Sequence, residues 1–175
     1  MKKITYIFTF LLFFSCSNEN ASRINILQAK LENLNKNSSA MNPQKVAEAY
    51  IGYKENLKLV RNCVDTLENE FAQRMNNYKG LKKTCPQFSR TYELTKKNIE
   101  SQSKQIKNLK LDINNKFIPT DSIFYYLKLE EENIQKIADD VIELMELYEF
   151  INAVNDSLYE PIKQYAENIC SKKEV

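Results

Sequence analysis

The chain has 175 residues, with 25 lysines and arginines, 23 aspartates and glutamates, and no histidine. Residues 1–15 contain two of the lysines and no acid, so the remainder has 23 basic and 23 acidic residues. This neutral balance argues against a nucleic-acid partner. Two glycines and four prolines supply few of the tight turns that a β-sandwich or barrel requires. Without histidine, the chain lacks the side chain that most often serves in acid–base catalysis. The composition therefore favours an all-α protein that is not an enzyme.

The start of the chain has the three parts of a secretory signal peptide. Lys2 and Lys3 form a positive start, residues 4–14 are mostly apolar, and the small residue Ser15 precedes Cys16. The apolar run is far shorter than the ~20 residues that a helix needs to cross a bilayer. We therefore expect a leader that is removed rather than a permanent membrane span.

The segment Phe13-Phe14-Ser15-Cys16 resembles the lipobox of bacterial lipoproteins. In that family the cysteine thiol is diacylated, signal peptidase II cuts before the cysteine, and the new amino terminus is usually acylated too. Phe14 is bulky where a smaller residue is commoner, a departure similar to the relaxed lipoboxes of Bacteroidetes-type bacteria. An ordinary cleaved signal with an incidental cysteine is the alternative.

The resemblance implies a domain order and a location. Residues 1–15 would be the signal peptide, and residues 16–22 would form the lipidated Cys16 with a polar tether. Ser17 follows the cysteine where aspartate is the better known inner-membrane retention signal. The resemblance therefore implies a lipid-anchored envelope protein at the outer membrane, facing either the periplasm or the cell surface.

After the tether, apolar residues recur at spacings of three and four, which predicts amphipathic helices. A short first helix over 24–34 is followed by a loop over 35–41. Asn42 and Pro43 supply an N-cap and a first-turn proline for a long second helix. We expect Gly80 to end that helix as a left-handed residue.

Two further long helices follow in the pattern. Residues 84–87 match a capping box before the apolar stripe over 88–113, and residues 119–121 combine a proline stop with a new cap. The last stripe, over 123–169, keeps one register across Pro161. We expect a kink at this proline, and a reversal into a short final helix is the alternative.

These elements predict an elongated antiparallel helical bundle with coiled-coil-like packing, made of three long helices and one or two short ones. The bundle domain should cover residues 23–170, and residues 171–175 should form a tail. The short connections near Gly80 and Pro119 would make successive helices antiparallel.

Charge and aromatic residues single out the start of the last helix. A lysine-rich stretch over 96–116 should face an acid-rich stretch over 129–149, which predicts complementary flanks, with an acidic docking face as the alternative. Aromatic residues near the helix start are a second candidate surface. The candidate interaction residues are Phe124, Tyr125, Tyr126, Glu130, Glu131 and Glu132.

Four polar residues occupy positions on the apolar stripes, namely Thr95, Gln102, Glu130 and Asn155. They either converge on one buried site or fix the register of the helices. The tyrosines of the stripes are expected to pack in the core. No metal site or cofactor is expected, because the chain lacks histidine and Cys-x-x-Cys spacing.

Three cysteines remain after Cys16, so one thiol has no intramolecular partner. With a hairpin near Gly80, Cys63 would lie ~30 Å from Cys85, beyond the reach of a disulfide. Pairing of Cys63 with Cys170 would require the chain to reverse at Pro161, and buried or free thiols are the alternative.

The sequence thus predicts a membrane-anchored helical protein that acts as a protein-interaction or scaffold module. The membrane would be bound through the lipid, and a protein would be the partner. One alternative is a ligand-binding helical lipoprotein, and another is a toxin-neutralising, immunity-type lipoprotein. A scaffold should have a filled core, whereas a ligand binder should have an enclosed pocket lined by Glu130, tyrosine or asparagine.

Overall fold

The computed structural model describes the backbone of residues 4–66 and 68–173 and the side chains of residues 19–66 and 68–173. The described residues form helices and no strand, which confirms the all-α class. The helices are α1 (Ile4–Ala40), α2 (Pro43–Cys63), α3 (Asn69–Tyr78), α4 (Leu81–Asn114) and α5 (Thr120–Lys173). None of the helices in this described part is long and apolar enough to cross a membrane. The side chains of the expected signal peptide and of Cys16, the expected lipid site, lie outside the described part of the structure.

The chain forms two compact units. Unit 1 consists of Met1–Asn37 and Thr95–Asp140, and unit 2 consists of Ser38–Leu94 and Val141–Val175. The boundaries fall within α1, α4 and α5, so these three helices contribute residues to both units.

In unit 1, α1 and α5 each run antiparallel to α4. Lys110, near the end of α4, donates to Asn25 of α1 at 3.1 Å, whereas Lys96 reaches Asn35 at 2.8 Å. The buried apolar side chains come from the stripes that the sequence predicted, which confirms them as the core-facing positions. They are Ile24, Leu27, Leu31, Ile99, Ile106, Leu109, Ile123, Leu127, Ile134 and Ile137.

In unit 2, α2 runs parallel to α5. The Nζ atom of Lys45 lies 3.8 Å from Oδ2 of Asp156. Further along both helices, Cys63 is bonded to Cys170, a sequence separation of 107. The contacts therefore advance in the same direction on the two helices.

By contrast, α3 and the first part of α4 run antiparallel to α5. The ring of Phe71 in α3 stacks on Tyr165 with 3.8 Å between centroids, whereas Phe88 of α4 lies 5.7 Å from Tyr148. The chain must therefore reverse between α2 and α3, within residues 64–68.

This reversal corrects the predicted second helix, which was expected to continue to Gly80. Val64 is extended, with φ −108° and ψ 108°, and ends α2. The apolar stripe does not reveal the break, because Val60 and Phe71 on its two sides belong to the same core. The expected left-handed cap is also wrong, since no described glycine has a positive φ. Instead, Gly80 lies in a short turn, where its N–H donates to the carbonyl of Asn77 at 3.0 Å.

The predicted loop over 35–41 is wrong as well, because α1 continues to Ala40. Its asparagines and serines are poor helix formers, but such propensities are weak and are overridden by tertiary packing. The predicted cap at Asn42 is confirmed. Its Oδ1 accepts the backbone N–H groups of Gln44 at 2.9 Å and Lys45 at 3.2 Å.

The capping box predicted over 84–87 is also wrong, because the segment lies inside α4. The Thr84 hydroxyl donates to the carbonyl of Gly80 at 3.1 Å, so it satisfies an acceptor rather than capping N–H groups. Pro86 is accommodated within the helix, where it lacks the N–H that would bond to Lys82.

Helix α5 runs without interruption from Thr120 to Lys173 and continues into the predicted tail. The start after Pro119 is confirmed. The alternative of a reversal at Pro161 is wrong, because the proline lies inside the helix. Packing accounts for this continuity, since the next residue, Ile162, is fully buried in the core of unit 2.

Candidate functional site

Exposed aromatic side chains cluster at the connection between α4 and α5 in unit 1. Phe117, Phe124, Tyr125 and Tyr126 are 74%, 66%, 65% and 40% exposed. We call these four residues the aromatic end. Three of them were candidates from the sequence, whereas Phe117 was not. The sequence clue to Phe117 was its position just after the apolar stripe over 88–113.

The end of α4 determines where Phe117 lies. Lys116 is left-handed, with φ 58°. Its N–H donates to the carbonyl of Ile113 at 3.1 Å, and the N–H of Phe117 donates to Asp112 at 2.8 Å. This pair of bonds is the Schellman arrangement that closes a helix. It turns the chain sharply, so Phe117 follows the helix with its ring in solvent.

The first turns of α5 present the other three aromatic rings. Ile123 and Leu127 are four residues apart and buried, so Phe124 and Tyr125 between them point away from the core, whereas Tyr126 lies at its edge. The rings of Tyr125 and Tyr126 lie edge to face, with 5.7 Å between centroids. The aromatic end is thus fixed by the register of the buried stripe.

Arg23 of α1 connects to this surface. Its guanidinium lies 5.1 Å from the centroid of Phe124, a cation–π contact. The same group donates to Oε1 of Glu131 at 2.8 Å. Glu131 therefore lies at the margin of the aromatic end, and Glu132 beside it is exposed.

Glu130 is not part of an exposed surface, which corrects its place among the candidate interaction residues. Its side chain is 3% exposed because its position on the stripe faces α4. Gln102 donates to Oε2, and Gln105 donates to Oε1 at 2.8 Å. The two amides replace the water that a buried carboxylate loses.

Two lysines of α4, Lys104 and Lys110, have partners outside α5. Lys104 pairs with Glu100 one turn away at 2.7 Å and lowers the pKa of that carboxyl by its hydrogen bond and charge. Lys110 donates to α1. Several acids of α5 are exposed, namely Glu132, Asp139, Glu143, Glu146 and Glu149.

A cleft of about 380 Å³ lies beside the aromatic end in unit 1. It is open to solvent, and its lining includes Gln105, Asp112, Tyr126 and Glu130. Its volume is within the usual range for small-molecule sites. However, Glu130 already accepts hydrogen bonds from within the chain, which leaves little of its carboxylate for a ligand.

A second open cleft, of about 360 Å³, lies between α2 and α5 in unit 2. Its lining includes Lys45, Asn155 and Tyr159. The buried Oδ1 of Asn155 has no hydrogen-bond partner among the described residues. At Gly52 in the cleft, a Cβ atom would lie 2.7 Å from the Tyr159 ring, so this glycine permits the close approach.

The four polar stripe residues have different surroundings. Gln102 and Glu130 are brought together, but the hypothesis of one shared site required all four residues and is wrong. Asn155 instead lines the cleft of unit 2. Thr95 is fully buried, and its Oγ1 has no hydrogen-bond partner in the described part of the chain.

Sequence reasoning missed a buried polar contact in unit 2. The Nδ2 of Asn56 donates to the carbonyl of Tyr159 at 2.8 Å and to the hydroxyl of Tyr78 at 3.3 Å. Burial raises the pKa of Tyr78 to about 12, and the hydrogen bond from Asn56 acts against this rise. Asn56 lies one residue before Leu57 of the apolar stripe, so the pattern gave no sign that it faces the core.

The cysteines of unit 2 have two different environments. Cys63 and Cys170 form a disulfide with 4.9 Å between their Cα atoms. Cys85 is buried as a free thiol, and burial raises its pKa to about 11. A thiol that stays protonated is a poor nucleophile. Across residues 19–66 and 68–173, no three metal-ligating side chains are grouped closely enough to hold an ion.

Comparison of the chain with protein-family models, with curated proteins and with solved structures found no match. The structure itself shows an all-α protein with two helical units. The aromatic end in unit 1 and the exposed acids of α5 are the surfaces from which a function is argued.

Proposed function

We propose that the protein is a lipid-anchored envelope protein that acts as a helical interaction or scaffold module. The observation that carries the anchor is the leader followed by Ser15-Cys16. One acyl chain alone would hold a protein only marginally at a bilayer, whereas two or three would hold it firmly. The outer membrane is the proposed location, because Ser17 follows the cysteine.

Most buried polar side chains named above are hydrogen-bonded within the chain, which supports a role in binding a partner rather than in catalysis. Glu130 is hydrogen-bonded to two glutamines, and Asn56 to Tyr78 and a main-chain carbonyl. Tyr53, Tyr78 and Phe88 are almost fully buried in the core of unit 2. These side chains hold the fold together, which leaves the exposed ones for recognition.

The partner surface that we favour is acidic and lies on α5 in unit 2. Glu143, Glu146 and Glu149 are exposed and spaced by three residues, so they share one side of the helix. Apart from the Gln87 amide, which donates to Glu143 at 2.8 Å, the hydrogen bonds of this segment do not involve the three carboxylates. A basic protein surface is the chemistry that would complement them.

Crosslinking in intact cells tests the interaction. The full-length protein should capture a protein partner, and reversing the charge of all three acids to lysine should reduce capture about 10-fold or more. The matched control reverses three exposed acids elsewhere, Glu32, Glu93 and Glu167, with the same change in net charge. Equal capture by both variants, or capture of no protein, would overturn the acidic surface.

Ligand binding is the second candidate, because Asn155, whose buried Oδ1 has no hydrogen-bond partner among the described residues, lines a cleft of about 360 Å³. Tight binding of a small molecule by the purified protein, with no protein captured in cells, would favour this candidate. Asn155→Leu should then abolish binding, whereas a scaffold would be unaffected by this change.

A further inference from the structure

The aromatic end concentrates most of the exposed aromatic surface of the described residues. Its four rings lie within residues 117–126, and among the side chains that the structure describes the other strongly exposed aromatic ring is Phe150, at 42%. Phe117, Phe124 and Tyr125 each expose more than 60% of their surface. Exposed aromatic rings clustered this closely are typical of a surface that binds a membrane or another molecule.

The chain links this surface closely to Cys16. Arg23 lies over the ring of Phe124, and Arg23 is the seventh residue after Cys16. Seven residues reach at most ~25 Å even when fully extended. An acyl group on Cys16 would therefore hold the aromatic end near the membrane that contains it, whatever the conformation of the tether.

The chemistry of the aromatic end suits the headgroup region of a bilayer. Phenylalanine and tyrosine rings place apolar surface among acyl chains, and the tyrosine hydroxyl stays among polar groups. Lys116 and Lys128 are exposed beside the rings. Their long side chains can extend to lipid phosphates while the methylene groups remain in apolar surroundings.

We infer that the aromatic end is a membrane-docking surface, inserted in the headgroup region of the bilayer that holds the lipid anchor. This inference rests on the proposed anchor at Cys16. The anchor supplies attachment, and the aromatic end supplies orientation, since attachment at the single residue Cys16 would leave unit 1 free to rotate about that point. Docking in this way would fix which face of unit 1 is turned away from the bilayer.

Tryptophan fluorescence tests the docking, because the chain contains no tryptophan. Phe124→Trp places a probe in the aromatic end, and Ile142→Trp places one at a control position that is 54% exposed in unit 2. The full-length protein, purified from membranes, is reconstituted in phosphatidylethanolamine and phosphatidylglycerol vesicles. Brominated lipids should quench about half or more of the emission from position 124, with a blue shift, and little from position 142.

The outcomes separate docking from anchoring. If the protein floats with the vesicles but position 124 remains unquenched, the anchor stands and the docking surface is overturned. If the protein does not float with the vesicles and Cys16→Ser behaves identically, the anchor itself has failed. A blue shift at position 124 that depends on protein concentration and needs no lipid would indicate a second copy of the chain as the occupant, which also overturns the inference.

Discussion

Lys116 occupies a backbone conformation that costs free energy. Its φ of 58° is left-handed, which costs a residue with a Cβ atom ~1–2 kcal/mol. Its ammonium group lies near the carboxyl end of α4, where a positive charge contributes ~0.3–1 kcal/mol. The conformational cost exceeds the electrostatic gain. The turn that shapes the aromatic end is thus less stable than glycine would make it.

Lys116→Gly should therefore increase the free energy of unfolding by about 1 kcal/mol, as measured by urea denaturation. Lys116→Ala is the matched control, because it removes the charge but keeps the Cβ atom. The alanine variant should gain no stability. A glycine variant less stable than the wild type would contradict this reading of the turn.

Tyr78 and Cys85 make stability depend on pH in the alkaline range. Burial raises their pKa values from 10.0 to about 12 and from 9.0 to about 11. Between the ordinary and the raised values, the unfolded chain loses these protons while the folded chain keeps them. Stability must therefore fall as pH rises above about 9 and level off beyond the raised pKa values.

We expect a lower denaturation midpoint at about pH 10.5 than at about pH 8, because the folded state then binds more protons than the unfolded state. Tyr78→Phe and Cys85→Ala should each remove part of this drop. Tyr125→Phe is the matched control, because Tyr125 is 65% exposed. If the denaturation midpoint falls by the same amount in all three variants, other groups cause the pH dependence.

At the scale of the elements, the reversal after α2 brings Cys63 to Cys170. This disulfide was expected to require a reversal of the chain at Pro161, and that condition was wrong. The chain reverses at residues 64–68 instead, so α2 lies parallel to a continuous α5. The pair Gly52 and Tyr159 has the same sequence separation as the two cysteines, which shows one register along both helices.

Removing the disulfide with Cys63→Ala and Cys170→Ala should lower the free energy of unfolding by about 2–4 kcal/mol, since the bond closes a long loop. A reductant should destabilise the wild type similarly and leave the double variant unchanged. Cys85→Ala is the control for loss of a cysteine, and it should remain sensitive to the reductant. Insensitivity of the wild type, or a non-reduced digest without the linked peptide, would contradict the pairing.

The apolar periodicity predicted which residues face the core but not every place where the chain turns. It identified α4, α5 and their buried positions, because burial imposes a repeat on any helix. It missed the reversal over 64–68, which contains neither glycine nor proline and lies within an unbroken stripe. It correctly predicted a helix end near Gly80, since α3 ends at Tyr78, but the expected reversal of the chain there is wrong, because α3 and α4 advance in the same direction along α5. Turns decided by tertiary packing leave no local signal.

The candidate surfaces were predictable to the extent that they depend on position along a helix. Phe124, Tyr125 and Tyr126 lie between Ile123 and Leu127, the first two residues of a stripe, so their exposure followed from register. Glu130 was assigned to the surface on account of its charge. Its position on the apolar stripe indicated burial instead, and the structure shows it 3% exposed. The contribution of Gln105 could not be read from the stripes, because Gln105 is not a stripe residue.

At the scale of the whole molecule, the proposals assign a different task to each part. The lipid on Cys16 would attach the chain, and the aromatic end of unit 1 would orient it. The acids of α5 in unit 2 would then remain available to a basic partner. Residues 16–175 contain equal numbers of acidic and basic residues, so their net charge adds no general attraction to anionic lipids. Attachment would then depend on the lipid and on the aromatic end.

Mass spectrometry of the N-terminal peptide tests the lipid anchor, on which the other proposals depend, most directly. The protein is produced with its leader in a bacterium that processes lipoproteins and is purified from the membranes. The account predicts a mature chain that begins at Cys16, with a diacylglyceryl group on the sulfur and an acyl group on the amino nitrogen. A mature chain that begins at another residue, or at Cys16 with a free thiol, would contradict it.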